Sequence, residues 1–98
     1  MARGNTPRTL VQIQRSITSA LDSVWVIDDT IAKLVGGATP SLDHKGNIDR
    51  NVGHLGTIVA NQEVIDSGED ISALHAAIAA GNAKLAEVTW PAEPVNED

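Results

Sequence analysis

The chain has 98 residues, a formal net charge of −6 and no cysteine. One domain is expected at this length, and the lack of cysteine excludes a disulfide framework and a thiolate metal site. No apolar run approaches the roughly 20 residues that a membrane helix needs, and no apolar core of a secretion signal follows the N-terminal charges, so we expect a protein of a cytosol-like compartment.

The first predicted element is a long heptad helix at residues 9–36, preceded by a flexible basic arm at residues 1–8. Thr6-Pro7 is the predicted start of this helix and Gly36-Gly37 its predicted end. Apolar residues recur through the helix at alternating steps of three and four, which is the spacing of a coiled coil. These residues form the predicted oligomer interface: Leu10, Ile13, Ile17, Ala20, Val24, Ile27, Ile31 and Leu34.

The composition of this heptad favours three subunits. With Leu10 at an a position, β-branched residues hold the other three a positions, and the d positions are two Ile, one Ala and one Leu. Ile at both positions favours trimers or larger assemblies, whereas Leu at d favours dimers. The sequence therefore predicts a parallel homotrimer, and the alternative is an ordinary helix packed inside a small intramolecular bundle.

A second, interrupted apolar stripe runs along the same helix. Its members are Val11, Trp25, Val26 and Ala32. A helix that is apolar on more than one side is covered on more than one side. We therefore expect additional contacts there, either with other helices of the chain or in a larger assembly.

A linker is predicted at residues 37–46, because turn-forming residues occupy most of its positions. A helical hairpin module is predicted at residues 47–88. Asn47 is the predicted cap of its first helix, and Ser67–Asp70 is the predicted turn before its second helix, which Asp70 caps.

Further expectations concern two glycines of the module and the C-terminal end of the chain. Gly53 and Gly56 should weaken the first hairpin helix while allowing another backbone to approach closely. Residues 82–90 are left open between helix and extended chain. An acidic tail is predicted at residues 89–98, and Trp90 is its candidate for docking on the module.

No catalytic or metal-binding motif stands out in the sequence. His44, His54 and His75 are spread over the linker and two helices, without metal-ligand spacing or a carboxylate pair beside them. Asp28 and Asp29 are neighbours in a helix and point about 100° apart, which is typical of a solvated face. We therefore expect no enzyme activity, no metal and no cofactor.

Charge is distributed unevenly along the chain. The first fifteen residues contain three arginines and no acid, whereas residues 46–98 contain two basic and nine acidic residues. A chain this acidic repels nucleic acid over most of its surface. Arg3 and Arg8 of the basic arm are instead the predicted attachment residues, because arginine pairs well with carboxylates on a protein partner.

Three runs and one alanine of the C-terminal half carry a resemblance to a known family: Ile48-Asp49-Arg50-Asn51-Val52-Gly53-His54-Leu55, Ala60, Glu69-Asp70-Ile71-Ser72-Ala73-Leu74 and Ala76-Ala77-Ile78-Ala79-Ala80-Gly81. Across about residues 48–82, the chain resembles a C-terminal helical module of small structural proteins of tailed bacteriophages, among them head-fibre proteins. The resemblance implies a virion component, made in the host cytoplasm, whose partners are its own copies and a phage capsid or tail protein. The heptad rod is shorter than a fibre, so a capsid decoration, a head–tail connector piece and a tail part all stay open.

The expected architecture is all-α, with a coiled-coil helix followed by a helical hairpin. The expected function is that of a non-enzymatic structural component of a tailed-phage virion that acts through homo-oligomerisation. An oligomeric cytosolic adaptor and a small DNA-binding regulator are the alternatives.

Overall fold

A computed structural model describes residues 9–92, and this part of the chain is helical without a β-strand. The predicted all-α fold, with a long N-terminal helix, is confirmed. The predicted basic arm at residues 1–8 and residues 93–98 of the predicted tail lie outside the described residues. The helices are α1 (Leu10–Val35), α2 (Leu42–Val59), α3 (Gln62–Ser67) and α4 (Ser72–Glu87).

Helix α1 begins at a capping box. The Thr9 hydroxyl accepts a hydrogen bond from the backbone N–H of Gln12 at 3.2 Å, and the Gln12 side chain accepts one from the Thr9 N–H at 2.8 Å. The predicted start at Thr6-Pro7 is therefore wrong. Thr9 has a glutamine three residues later, whereas Thr6 has a threonine there and cannot form the reciprocal pair. The predicted end is confirmed, because Gly36 caps the helix and Gly37 has a positive φ of 106°.

Helix α2 begins inside the predicted linker. The Ser41 hydroxyl accepts a hydrogen bond from the backbone N–H of His44 at 3.1 Å, and Asp43 adds a favourable negative charge to the first turn. Asn47, the predicted cap, is instead inside the helix, where its carbonyl accepts a hydrogen bond from the Asn51 side chain. Both Ser41 and Asn47 can act as caps. Helix α2 begins after Ser41 because this earlier cap adds nearly two turns of hydrogen-bonded helix.

The predicted hairpin contains a third, short helix. The Asn61 side chain accepts hydrogen bonds from the backbone N–H groups of Glu63 and Val64, and α3 follows with Val64 buried. Helix α3 ends at Gly68, whose φ of 74° is left-handed, so the predicted turn is confirmed. The N-cap of α4 is Ile71 and not the predicted Asp70, and Ile71 makes no side-chain cap hydrogen bond. The Asp70 carboxylate, one residue earlier, accepts a hydrogen bond from the Ser72 N–H at 2.9 Å.

Helix α4 continues through Gly81-Asn82 and reaches Glu87, so residues 83–87 are helical. Trp90 docks on the end of this helix, as expected. Its indole N–H donates a hydrogen bond to the Leu85 carbonyl at 3.0 Å, and the side chain is half-buried.

The core lies where α1, α2 and α4 pack on one another. Its central residues are Ala20 and Ile27 of α1, Leu55 of α2, and Leu74 and Ala77 of α4, all of them buried. Helix α3 packs against α1 and α2 at one end of this bundle. The long helix is therefore one wall of a small intramolecular bundle.

Gly81 allows a close contact between helices, although no such role was expected for it. Gly81 of α4 is buried, and a Cβ atom there would lie 2.5 Å from Val52 Cγ2 and 3.2 Å from Ile48 Cγ2. A Cβ atom at Gly53 or Gly56 would meet nothing within 4 Å. The prediction that Gly53 and Gly56 allow a close backbone approach is therefore wrong.

Candidate functional site: the outer face of helix α1

The predicted interface residues of α1 differ in their surroundings. At the d positions, Ile13, Ala20 and Ile27 are buried within the single chain, and Leu34 is half-buried. The a positions are more open, since Leu10 is exposed and the remaining three, Ile17, Val24 and Ile31, are half-buried. A seam made of all eight residues would therefore require the other helices of the chain to move away. The trimer itself stays a prediction.

The buried face of α1 is rotated away from the a and d seam because small polar residues share it. Ser23 and Thr30, at g positions, are only 8% and 3% exposed. The Thr30 hydroxyl donates a hydrogen bond to the Val26 carbonyl at 2.7 Å, so its burial leaves no unpaired polar group. Side chains this small let neighbouring helices come close. Their seven-residue spacing was the sequence signal for this face.

The opposite flank of the seam is an exposed apolar strip, which we call the outer stripe. At about 100° per residue, its members fall within an arc of about 80° along the whole of α1. Trp25 is 65% exposed and Val35 is 72% exposed, and Ile17 is the half-buried member. The outer stripe consists of Leu10, Ile17, Leu21, Trp25, Ala32 and Val35.

The second stripe expected from the sequence contributes to this surface. Trp25 and Ala32 belong to the outer stripe, Val11 is exposed beside it, and Val26 is half-buried on another side of the helix. Within the described chain, no other element covers Trp25. The apolar surface is therefore available to a partner.

The charges around the outer stripe are sparse. Asp28 lies within the arc of the stripe, by its helical position, and is exposed. Asp29 points elsewhere and forms an ion pair with Lys33 at 3.0 Å, which is a surface pair of small energetic value. The two adjacent aspartates thus have different surroundings and do not act together.

The histidines are separate from one another and from the outer stripe. His44 lies in the first turn of α2, with its Nδ1 3.2 Å from the Ser41 hydroxyl, while His54 and His75 are exposed on α2 and α4. Between residues 9 and 92, no three histidine or acidic side chains are grouped so that they could hold a metal ion. In the same range, no helix has the length and apolarity to cross a membrane.

Comparison with known proteins returned no similar protein: no family model, no curated protein and no solved structure matches this chain. The residues behind the phage resemblance are partly core residues, since Ile48, Leu55, Leu74 and Ala77 are all buried. Arg3 and Arg8, predicted to attach the chain to a particle, lie outside the described residues. The outer stripe is therefore the best-defined candidate site of the described chain.

Proposed function

We propose that this chain is a non-enzymatic structural component of a tailed-phage particle, such as a capsid decoration or head fibre, and that it acts as a homo-oligomer. The observation that carries the proposal is the exposed outer stripe of α1, with Trp25 about midway along its length. Long exposed apolar patches with a polar rim mark interaction surfaces in soluble proteins, and tryptophan is enriched among the residues that dominate interface energetics.

The occupant that we propose for the outer stripe is α1 of another copy. With 26 residues, α1 is about 39 Å long, and a contact about 10 Å wide along it would cover about 400 Å² per helix. A single such contact falls below the roughly 800 Å² per partner that is usual in stable complexes. The trimer is proposed from the heptad composition, and it needs contacts beyond the outer stripe to reach that area.

The particle assignment is supported by the resemblance of residues 48–82 and by the charge distribution. The C-terminal half is acidic and suits a solvated outer surface, whereas Arg3 and Arg8 provide cations for carboxylates on the particle. Assembly through α1 would place several basic arms near one another. Their weak individual contacts would then add up through multivalency.

Light scattering after size-exclusion chromatography tests the assembly at micromolar concentration. We expect a mass three times that of one chain, and a monomer mass for the Leu21→Ser, Trp25→Ser double variant with unchanged far-UV circular dichroism. The control is Ile65→Ser, because Ile65 is an apolar residue of comparable exposure on α3. A monomeric parent chain, or equal dissociation by Ile65→Ser, would reject assembly through the outer stripe.

Mass spectrometry of purified virions tests the particle assignment, in a phage whose genome encodes the chain. We expect the chain among the particle proteins. Its presence in infected cells together with its absence from the purified particle would reject a virion role, whatever its oligomeric state.

A further inference from the structure

A second surface of the chain has a different chemistry. A groove of about 450 Å³ lies where α1, α2 and α3 meet, and it is partly open to solvent. This volume is within the usual range of ligand sites. The groove residues that matter here are Arg15, Ser19, His54, Thr57, Ile58 and Val64.

The groove is separate from the outer stripe. By helical position, Arg15 and Ser19 point at least about 100° away from the centre of the outer stripe. The other walls belong to α2 and α3, which contribute nothing to that stripe. A ligand in the groove and a second copy on the outer stripe could therefore bind at the same time.

The polar walls of the groove suit a carboxylate. Arg15 and His54 provide a guanidinium and an imidazole, Ser19 and Thr57 provide hydroxyl groups, and the described lining includes no acidic residue. In the described chain, Lys33 and Lys84 pair with Asp29 and Glu87, whereas Arg15 has no such carboxylate partner. A planar guanidinium can bind a carboxylate through two parallel hydrogen bonds.

Beside the polar Ser16 and Asn61, the groove also has an apolar wall. Val64 is buried and Ile58 is half-buried, and both line the same cavity as Arg15. A bare inorganic anion would leave this surface uncovered. A ligand that combines a carboxylate with an apolar side chain would use both parts of the groove.

We propose that this groove binds a short acidic peptide segment of a protein partner. One carboxylate of the segment pairs with Arg15 beside His54, and a neighbouring aliphatic side chain packs on Ile58 and Val64. The volume accommodates only a few residues, and the groove is partly open to solvent, so the rest of the peptide can lie outside it. A nucleic acid fits less well, because its phosphates would continue onto the surface of a chain with a net charge of −6.

Fluorescence anisotropy tests this inference with the full chain and a labelled hexapeptide of alternating glutamate and valine. We expect saturable binding, and binding weaker by about fivefold in Arg15→Gln, which is the scale of one exposed ion pair. His54→Gln should weaken binding in the same direction. Arg50→Gln and His75→Gln are the matched controls, because both residues are exposed outside the groove, and they should bind like the parent chain.

Four results would overturn the inference. They are equal binding of a peptide with glutamine in place of glutamate, equal weakening by Arg50→Gln, displacement of the peptide by equimolar inorganic phosphate, and tighter binding of a labelled single-stranded oligonucleotide than of the peptide. Circular dichroism of each variant confirms that a loss of binding is not a loss of fold. The oligomeric mass, measured in parallel, separates this result from the assembly proposal.

Discussion

Gly81 of α4 lies against Val52 of α2 so closely that a Cβ atom on Gly81 would be 2.5 Å from the Val52 Cγ2 atom. Real Cβ atoms do not approach a methyl carbon to this distance, so one of the two helices or the valine side chain would have to move. Val52 has a stiff, β-branched side chain, and the fully buried Ile48 stands 3.2 Å from the same position. The packing of α4 on α2 therefore depends on glycine here.

Gly81→Ala should destabilise the fold. Overpacking costs about 1 to 3 kcal/mol, and the better helix propensity of alanine offsets up to about 1 kcal/mol of it. We expect a net loss of about 1 to 2 kcal/mol in the free energy of unfolding, measured with urea. Gly53→Ala is the control, because its Cβ meets nothing within 4 Å, and it should stabilise by up to about 1 kcal/mol.

Measuring Gly81→Ala in a Val52→Ala background tests whether the cost comes from the contact with Val52. Removing the two valine methyl groups makes room for a Cβ atom at Gly81, so the second substitution should cost clearly less there than in the parent chain. Equal costs in both backgrounds would show that the strain at Gly81 has another source.

The local signals in the sequence were strong enough to place some of the helix ends. Gly37 and Gly68 follow helix ends because few other residues accept a positive φ, and the Asp70 carboxylate accepts a hydrogen bond from the first residue of α4. The start of α2 was misplaced because Ser41 and Asn47 are both good caps. The choice between them depends on how much additional helix forms, which a local pattern does not report.

The face of α1 that is buried within the chain was harder to predict, for a physical reason. A heptad pattern shows that a helix has an apolar stripe, but the same stripe can face helices of its own chain or those of another. Ser23 and Thr30 are buried in the folded chain, and burial depends on how the other helices pack on α1, which is a tertiary property. The apolar spacing alone therefore predicts that the buried face of α1 is centred between the a and d positions, whereas the folded chain buries the d positions together with g positions.

Asp70 should titrate below its ordinary range. The hydrogen bond from the Ser72 backbone N–H, and then the bond from the Ser72 hydroxyl at 2.7 Å, hold the pKa of the Asp70 carboxyl below its usual value of 3.8. Because the pKa is lower in the folded state, the stabilisation is present above the unfolded pKa and is lost as the pH falls through the folded pKa.

A carboxyl NMR titration measures this effect. Ser72→Ala removes the hydroxyl donor and keeps the backbone N–H, so the pKa of Asp70 should rise towards 3.8 without reaching it. Ser19→Ala, on α1, should leave the Asp70 titration unchanged, because both hydrogen bonds that lower the pKa of Asp70 come from Ser72. If Ser72→Ala also leaves it unchanged, the hydroxyl bond makes no contribution to the pKa.

Removing the basic arm should separate attachment from assembly. A chain that lacks residues 1–8 should keep its helicity and oligomeric mass, because α1 begins at its own capping box at Thr9. It should lose co-sedimentation with particles of the parent phage, since Arg3 and Arg8 are removed. A chain that lacks residues 93–98 is the control and should still co-sediment. The reverse pattern would show that the chain attaches through its acidic end.

Trp25 can report directly on the outer stripe. Trp25 is 65% exposed and Trp90 is half-buried, so a Trp90→Phe variant leaves the emission of the exposed indole alone. If another copy covers the outer stripe, raising the protein concentration should shift this emission to shorter wavelength and reduce its quenching by iodide. The Leu21→Ser, Trp90→Phe variant should show neither change, because it loses an apolar neighbour one turn away on the same face.

The absence of a spectral change is informative only when the mass is measured on the same samples. A mass that rises while the Trp25 emission and quenching stay constant would show that the copies meet at another surface.

Asp28→Ala should strengthen assembly, whereas Leu21→Ser should weaken it. Asp28 is the charge within the arc of the outer stripe, and covering it removes its hydration, so the alanine variant should assemble at lower concentration than the parent chain.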